Sequence, residues 1–384
     1  MKIFKNNQNN FNSQDFLAYR DDAVKMHKLR YIFWECTLRC NMACRHCGSE
    51  CLSSPDKPEM PYGDFLRAID EILCELDPEK TTIAIIGGEP LLRNDIEDLG
   101  YELQSRGLYY GIVTNGFLLD RKRLNSLWLS GLRSISVSLD GLQENHNWLR
   151  MHPHSFQKAL KAIELVTQNG GINFDVITCV HNRNLNELSD IKNLLIDLGV
   201  KAWRLFTIFP RGRAAFAEEL IMEKHQVKQL FDFIVSTKQQ GKIRADYGCE
   251  GYAGSYELKI RDYPFFCISG VHVASILSDG SISGCPSTRQ DFIQGNIYID
   301  NFRDCWNGQF DEYRNRSWMK TDECRRCQDF LYCNGGSMHL RTSKNELFYC
   351  HHLIEDTIVS KKRMRLTVKT DNPNLNHIFY NLLK

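Results

Sequence analysis

Cys40, Cys44 and Cys47 stand in the run Trp34-Glu-Cys-Thr-Leu-Arg-Cys-Asn-Met-Ala-Cys-Arg-His-Cys-Gly48, spaced C-x-x-x-C-x-x-C directly after an apolar segment. Three thiolates on one tight loop can hold three corners of a cubane iron–sulfur cluster. No fourth cysteine fits the pattern, so one iron stays open to a small molecule. That is the arrangement of a reactive site rather than of an electron store. Zinc is the competing metal, but zinc-binding pairs usually lie two residues apart and need a fourth ligand. Cys36 and Cys51 lie nearby, off the spacing.

A second sulfur-rich constellation lies near the C-terminus. Cys324-Arg-Arg-Cys327-Gln-Asp-Phe-Leu-Tyr-Cys333 is followed by Cys350, and upstream stand Cys249, Cys267 and Cys285. Zinc is a stronger competitor here, because C-x-x-C knuckles serve it well. Of the 15 cysteines, only Cys74 and Cys179 fall between the two groups. Cys305 reads as core. Cys179, in a β-like run, reads as core or as a thiol facing a substrate, and Tyr247 and Glu250 are further candidates to face one.

The elements that must position these residues alternate from residue 31 onward. Strands are expected at Tyr31–Trp34, Thr82–Ile86, Tyr109–Thr114, Arg133–Leu139, Asn173–Val180 and Trp203–Ile208. Between them come amphipathic helices at Tyr62–Leu76, Asn94–Ser105, Asp120–Leu129, Phe156–Gln168, Leu185–Leu198 and Glu223–Gln239. Six buried-type strands alternating with helices predict an α/β fold, a parallel sheet or partial barrel, with too few strands for a closed eight-fold barrel. Ligands in such folds collect at the C-terminal strand ends. There the sequence places Gly87-Gly88-Glu89-Pro90, Thr114-Asn115-Gly116 and Ser136-Val-Ser138-Leu-Asp140-Gly141. Each alone reads as an ordinary turn or cap; the Glu and neighbouring carbonyls of the first would suit an ammonium group.

From about 241 helical periodicity fades and Gly, Tyr, Cys and short β-like runs appear, including Val273–Leu277, Ser281–Ser283 and Asn296–Ile299, with a helix at Phe302–Arg314. The expected organisation is an N-terminal extension over 1–30, a partial barrel over 31–240, a metal-stapled domain over 241–360 and a tail over 361–384.

Composition narrows the function classes. The 384 residues carry 48 basic and 47 acidic side chains, so no strong field draws the chain to nucleic acid. No apolar run of about 18 residues predicts a spanning helix, and the N-terminus lacks a signal-peptide pattern. Abundant cysteine without an export signal points to metal binding in a reducing cytoplasm.

The cysteine triplet after strand one, Gly-Gly-Glu-Pro after strand two, Thr-Asn-Gly after strand three and Ser-Leu-Asp-Gly after strand four together resemble the radical SAM enzymes over about 31–235. The resemblance implies a partial (β/α)6 barrel. Cys40, Cys44 and Cys47 would hold a [4Fe-4S] cluster whose open iron chelates S-adenosylmethionine, and one electron would release a 5′-deoxyadenosyl radical. Gly87, Gly88 and Glu89 would meet the methionine amino group, Asn115 and Ser138 would contact the cofactor, and His46 would lie near the adenine. An electron donor such as flavodoxin or ferredoxin is implied as a partner.

The C-terminal cysteines, with Cys267, twelve residues, Gly280, four residues and Cys285, resemble the SPASM extension, which holds auxiliary iron–sulfur clusters. In that pattern Cys324, Cys327, Cys333 and Cys350 would complete a closed [4Fe-4S] centre. The pattern wants another cysteine where this chain has Ser337. The nearer centre then keeps Cys267 and Cys285, with Cys249 as a third ligand. It would be an open-coordination cluster, a [2Fe-2S] centre or a cluster with a non-cysteine ligand, for which His272 and His339 are candidates. One or two auxiliary clusters are therefore expected.

SPASM enzymes mostly modify peptides or proteins, so a peptide or small-protein substrate is the leading expectation. Phe33-Trp-Glu-Cys-Thr-Leu-Arg-Cys and Asp291-Phe-Ile-Gln-Gly-Asn-Ile-Tyr resemble a subgroup paired with small lipoproteins. Sulfatase maturation is an alternative, weakened because Pro286 stands where those enzymes place an aspartate. A non-catalytic electron-transfer protein is another. The segment before Tyr31 is too short for the leader-binding module of many relatives, so a separate leader-binding protein is expected for a leader-dependent substrate. The arginines of Arg204-Leu-Phe-Thr-Ile-Phe-Pro210-Arg-Gly-Arg213 are candidates to reach the cofactor or a peptide carboxylate.

Overall fold

The structure, a computed structural model, describes residues 13–55, 58–288 and 291–351. Residues 1–12 of the 1–30 extension, residues 352–360 of the 241–360 domain and the tail expected from 361 lie outside the described residues. The strands are β1 (Tyr31–Glu35), β2 (Thr82–Ile86), β3 (Tyr109–Thr114), β4 (Leu132–Ser138), β5 (Asn173–Val180), β6 (Ala202–Thr207), β7 (Arg244–Tyr247), β8 (Val273–Ile276), β9 (Ser281–Ser283) and β10 (Ile293–Asn296). They form one sheet in the order β10-β9-β8-β1-β2-β3-β4-β5-β6-β7. Every pairing from β8 through β1 to β7 is parallel, whereas β8–β9 and β9–β10 are antiparallel.

The six expected strands and their order stand. Two parallel strands join them. β7 extends the sheet beyond β6, and β8 pairs with β1, Tyr31 against Val273 and Trp34 against Ile276. Both have only four residues: β7 was not expected, and β8 was expected as a β-like run, Val273–Leu277, without its place beside β1. The sheet therefore continues past residue 240, through the texture change. β10 lies at Ile293–Asn296 rather than Asn296–Ile299, and the expected helix Phe302–Arg314 is two short ones, Phe302–Gly308 and Asp311–Arg314.

The helices cover one face of the sheet. Tyr62–Ile72 buries Phe65, Leu66, Ala68, Ile69 and Ile72, the spacing of an apolar helical stripe. Phe65 stacks on Trp34 of β1, ring centroids 4.8 Å apart. The other face is the polar lumen. Successive strand residues point to opposite faces, so Ser134, Ser136 and Ser138 of β4 share it, as do Asp175, Ile177 and Cys179 of β5. Ser136 Oγ donates to Asp175 Oδ1 at 2.6 Å, and Arg204 of β6 pairs with Asp175. No helix among the described residues is long and apolar enough to cross a membrane.

Candidate active site

The loop after β1 is closed on itself by backbone bonds: Cys40 N donates to Leu52 O at 2.8 Å and Leu52 N to Leu38 O at 3.2 Å. This gathers Cys40, Met42, Cys44 and Cys51 into one small buried cluster with Cys47 packed against it. Burial pushes the Cys40 thiol up to about 12, with the neighbouring Cys44 and Cys47 adding to it. Metal ligation would release these protons, and a shared cation would compensate the gathered thiolates.

Gly87 and Gly88 bring the next loop against this one. Gly88 N donates to Thr37 O at 2.8 Å and Glu89 N to Arg39 O at 2.9 Å. A Cβ on Gly88 would collide with the Arg39 carbonyl, 2.7 Å from its carbon. The glycines thus set the distance between two backbones. Arg93, just beyond, donates to Cys36 O at 2.8 Å and Met60 O at 2.9 Å, holding both ends of the cysteine loop.

Glu89 is fully buried. Its carboxylate accepts from Thr114 Oγ1 at 2.7 Å, Asn115 N at 2.8 Å and Leu91 N at 3.2 Å. Burial raises its pKa while these bonds oppose the rise. A carboxylate offers about four lone-pair sites, so one remains for an ammonium group. Asn115 Nδ2 donates to Asn41 Oδ1 at 2.8 Å, tying the β3 loop to the cysteine loop. Ser138 is buried at the end of β4.

His46, Asp140 of the β4 loop and Cys179 of β5 bring their ligand atoms within 4.8 Å of one another. Asp140 forms a salt bridge with Arg150 at 2.5 Å and accepts from Cys179 N at 2.8 Å. Arg150 Nη1 also lies 3.8 Å from Cys44 Sγ. Burial, then the Arg150 charge, pushes His46 down to about 3, so its imidazole is neutral. Two polar atoms of the cysteine loop, Asn41 Nδ2 and His46 Nδ1, are buried without a hydrogen-bond partner among the described residues. Buried polar groups are normally paired, and these two border the thiols where a polar cofactor would sit. Converging thiols, a spare carboxylate site and two unpaired polar atoms fit a cluster carrying a chelated amino acid.

The C-terminal thiols form two groups. Cys249, Cys267 and Cys285 are within electrostatic reach of one another. Burial would raise Cys267, but Arg316 and hydrogen bonds outweigh it and hold the thiol at about 6. Cys333 is raised by burial and by Cys350, Cys324 and Cys327, which surround it; Arg341 Nη2 lies 2.8 Å from Cys324 Sγ. Ser337 is buried, and its hydroxyl donates to Cys249 O at 2.5 Å. It buttresses the backbone of a thiol residue from the place where the pattern wants a ligand. His272 does not join this group: its Nδ1 bonds Lys28 O at 2.8 Å. His339 Nε2 lies 3.6 Å from Glu250, beside Cys249. Cys305 is buried core.

The arginines after β6 take up protein partners. Arg211 pairs with Asp291 at 2.6 Å. Arg213 donates to Cys44 O at 2.8 Å and Cys51 O at 2.9 Å, clamping the cysteine loop. Sequence reasoning missed this clamp, and it missed Arg150, which sits on a short helix, Gln143–Arg150, that was not expected. Asp140 in Ser-Leu-Asp-Gly was visible, but nothing in the local pattern marked Arg150 as its partner.

Residues 34–195 match the radical SAM superfamily, and residues 267–328 match SPASM, an iron-sulfur cluster-binding domain. This chain is a radical SAM enzyme with a SPASM domain. The enzyme therefore uses a [4Fe-4S] cluster with S-adenosylmethionine, together with auxiliary iron–sulfur centres. It is 26% identical over 324 residues to an AdoMet-dependent heme synthase of Methanosarcina barkeri, covering 80% of this chain and 90% of that one. It is 27% identical over 316 residues to the mycofactocin maturase MftC of Mycolicibacterium smegmatis, covering 79% and 77%. Its fold is similar to that of Streptococcus suis SuiB, solved with its precursor peptide SuiA, at a TM-score of 0.63 and 15% identity over 83% of this chain and 75% of that one. The non-catalytic alternative is set aside by these enzyme relatives.

Proposed function

We propose that this enzyme modifies a peptide or small protein by hydrogen-atom abstraction. In this reading Cys40, Cys44 and Cys47 hold the open-iron cluster, Gly87, Gly88 and Glu89 receive the methionine amino group, and His46, Asn115 and Ser138 contact the rest of the cofactor. Cys324, Cys327, Cys333 and Cys350 hold a closed [4Fe-4S] centre, and Cys249, Cys267 and Cys285 hold a nearer one with an incomplete cysteine set. Once bound, the cluster and S-adenosylmethionine supply a carbon radical that takes a hydrogen atom from the substrate. The chain's own residues align the cofactor, exclude water and fix the facing C–H bond. Cytoplasmic flavodoxin or ferredoxin would supply electrons, and a separate protein would bind any leader.

The observation that carries the peptide reading is charge balance between the thiol groups. Cys179 lies within electrostatic reach of Cys44 on one side and Glu250, next to Cys249, on the other. Four arginines near these groups are paired with acids, Arg150 with Asp140, Arg204 with Asp175, Arg211 with Asp291 and Arg261 with Glu257, all with buried or nearly buried side chains, while Arg213 and Arg316 spend their donors on backbone carbonyls. A substrate bearing several carboxylates would lose its hydration against these four pairs without gaining a cation. A peptide segment carries fewer charges and hydrogen-bonds to the paired groups.

The heme synthase relatives favour a second reading, a step of heme synthesis on an iron tetrapyrrole, since one of them aligns over 90% of its length. Reconstituted enzyme with dithionite and S-adenosylmethionine separates the two. A candidate peptide substrate should change mass in step with 5′-deoxyadenosine formation. Turnover of iron coproporphyrin III with no change in the peptide would instead establish the tetrapyrrole reading.

A further inference from the structure

Six arginines are buried among the described residues: Arg20, Arg93, Arg211, Arg261, Arg316 and Arg341. Four of them pair with acids, Arg20 with Asp21, Arg93 with Asp95, Arg211 with Asp291 and Arg261 with Glu257. The other two have no carboxylate partner among the described residues. Arg316 gives its donors to the carbonyls of Tyr313, Gly336 and Cys267. Arg341 is 2% exposed and makes a contact of another kind: its Nη2 lies 2.8 Å from Cys324 Sγ.

The local fold fixes that contact. An antiparallel bridge between Arg341 and Leu347, with Phe348 N donating to Leu340 O at 2.9 Å, turns the chain back on itself. Asn345 takes the left-handed conformation in this turn, with φ 66°, a region in which Asn is enriched. Its Oδ1 accepts from Arg341 Nη1 at 2.7 Å, while its Nδ2 donates to Thr321 Oγ1 at 2.6 Å and Trp318 O at 3.0 Å. Thr321 O in turn accepts from Cys324 N at 2.8 Å. One asparagine thus sets the guanidinium and the Cys324 turn against each other. The guanidinium keeps a donor in reserve, since Nε is buried with no hydrogen-bond partner among the described residues.

A buried charge without a counter-charge is strongly destabilising, and buried polar atoms are normally paired. Arg341 breaks both rules, and the side chain it touches is a thiol. A [4Fe-4S] centre held by thiolates carries net negative charge, and carries more once reduced. We propose that the closed auxiliary cluster is the counter-ion of Arg341, and that the guanidinium, hydrogen-bonded to the Cys324 sulfur, raises the reduction potential of that cluster. A fixed positive charge and an N–H···S bond both favour the more negative, reduced state, and both are levers on such potentials. The step is the gain of one electron by the cluster, supplied in the test by dithionite, and no bond breaks. The inference rests on Cys324, Cys327, Cys333 and Cys350 holding that cluster and is independent of which substrate is modified.

The test is an EPR-monitored redox titration of the full-length reconstituted enzyme. Cys324→Ala first assigns the signal: the centre in question is the one this change removes or converts, and S-adenosylmethionine leaves it unperturbed. Iron and signals all unchanged in Cys324→Ala would overturn the ligand set, and the inference with it. Once the signal is assigned, Arg341→Met should lower the reduced-to-oxidised ratio at a fixed potential about tenfold, about 59 mV for a one-electron couple, with iron content unchanged. Arg341→Lys keeps the charge and should lie closer to wild type than to Arg341→Met. A wild-type midpoint in Arg341→Met overturns the proposal. So does an equal shift in both variants, which would make the charge irrelevant. If Arg341→Met does not hold its cluster, wild-type enzyme carrying isotopically labelled arginine nitrogen decides: pulsed EPR of the reduced centre should show a coupling to the label, and a centre without one overturns the contact.

Discussion

Asp140 and Arg150 illustrate what one buried pair does for a site. Asp140 is fully buried. Burial alone would raise its pKa, but Arg150, then His46 and His146, outweigh it and hold the carboxyl at about 2. A carboxyl depressed below its unfolded value of 3.8 stabilises the fold above about pH 4, and that contribution fades as pH falls through about 2. Asp140→Asn strands the Arg150 charge and should cost about 3–5 kcal/mol in urea unfolding at neutral pH. The gap to wild type should narrow below about pH 4. Asp140→Asn combined with Arg150→Met should cost less than the single change, because no charge is then left unpaired; equal costs would contradict the pairing. The Ser-Leu-Asp-Gly motif announced Asp140, but its partner lies ten residues on, in a helix of eight residues, and only the fold joins them.

At the scale of elements, the strand-end loops are a set of close backbone contacts. Gly88 is the tightest: its N–H bonds Thr37 and any Cβ would meet the Arg39 carbonyl. Gly88→Ala should push the Gly-Gly-Glu-Pro loop away from the cysteine loop. The expected outcome is a protein that keeps its auxiliary iron but loses most of the iron bound by the triplet, read by iron and sulfide counts against a Cys40→Ala control. Iron content equal to wild type would mean that the loops separate without harm. Asp120 accepts from Arg123 N at 2.7 Å and caps the helix Arg121–Leu129. Asp120→Ala should cost about 1 kcal/mol with triplet iron unchanged, which separates general destabilisation from damage at the site. The long alternating segments were legible in the sequence because each strand runs at least five residues and each helix carries an apolar stripe. β7 was not, because four residues carry too little pattern, and β8 was legible as a β-like run but not as a partner of β1. What places them is pairing with β6 and β1.

For the whole molecule, that last pairing binds the C-terminal sulfur-rich region to the start of the barrel. β8 covers the β1 edge, and the segment beyond it packs on the helix Tyr62–Ile72. There Arg67 Nη1 donates to Ile297 O at 3.1 Å and Phe302 N to Glu71 Oε2 at 2.6 Å. A chain ended at Asp262 should leave β1 as an unpaired apolar edge and lose its cooperative urea transition; a cooperative transition at the wild-type midpoint would show that the barrel stands alone. The segments that carry the two cysteine groups, far apart in sequence, are thus joined through one sheet, whose β5 carries Cys179. The positions of the thiols were legible from spacing, whereas the neutral, charge-paired space between them was not, since each arginine finds its acid only through the fold. In the proposed function a radical is made at the cluster on Cys40, Cys44 and Cys47 and spent on a peptide. The most direct test is the stoichiometry of 5′-deoxyadenosine to modified peptide under anaerobic turnover with deuterium-labelled peptide. Deuterium should appear in 5′-deoxyadenosine in proportion to modified peptide, and both should vanish in Cys40→Ala. 5′-Deoxyadenosine that forms free of deuterium while the peptide stays intact would contradict it.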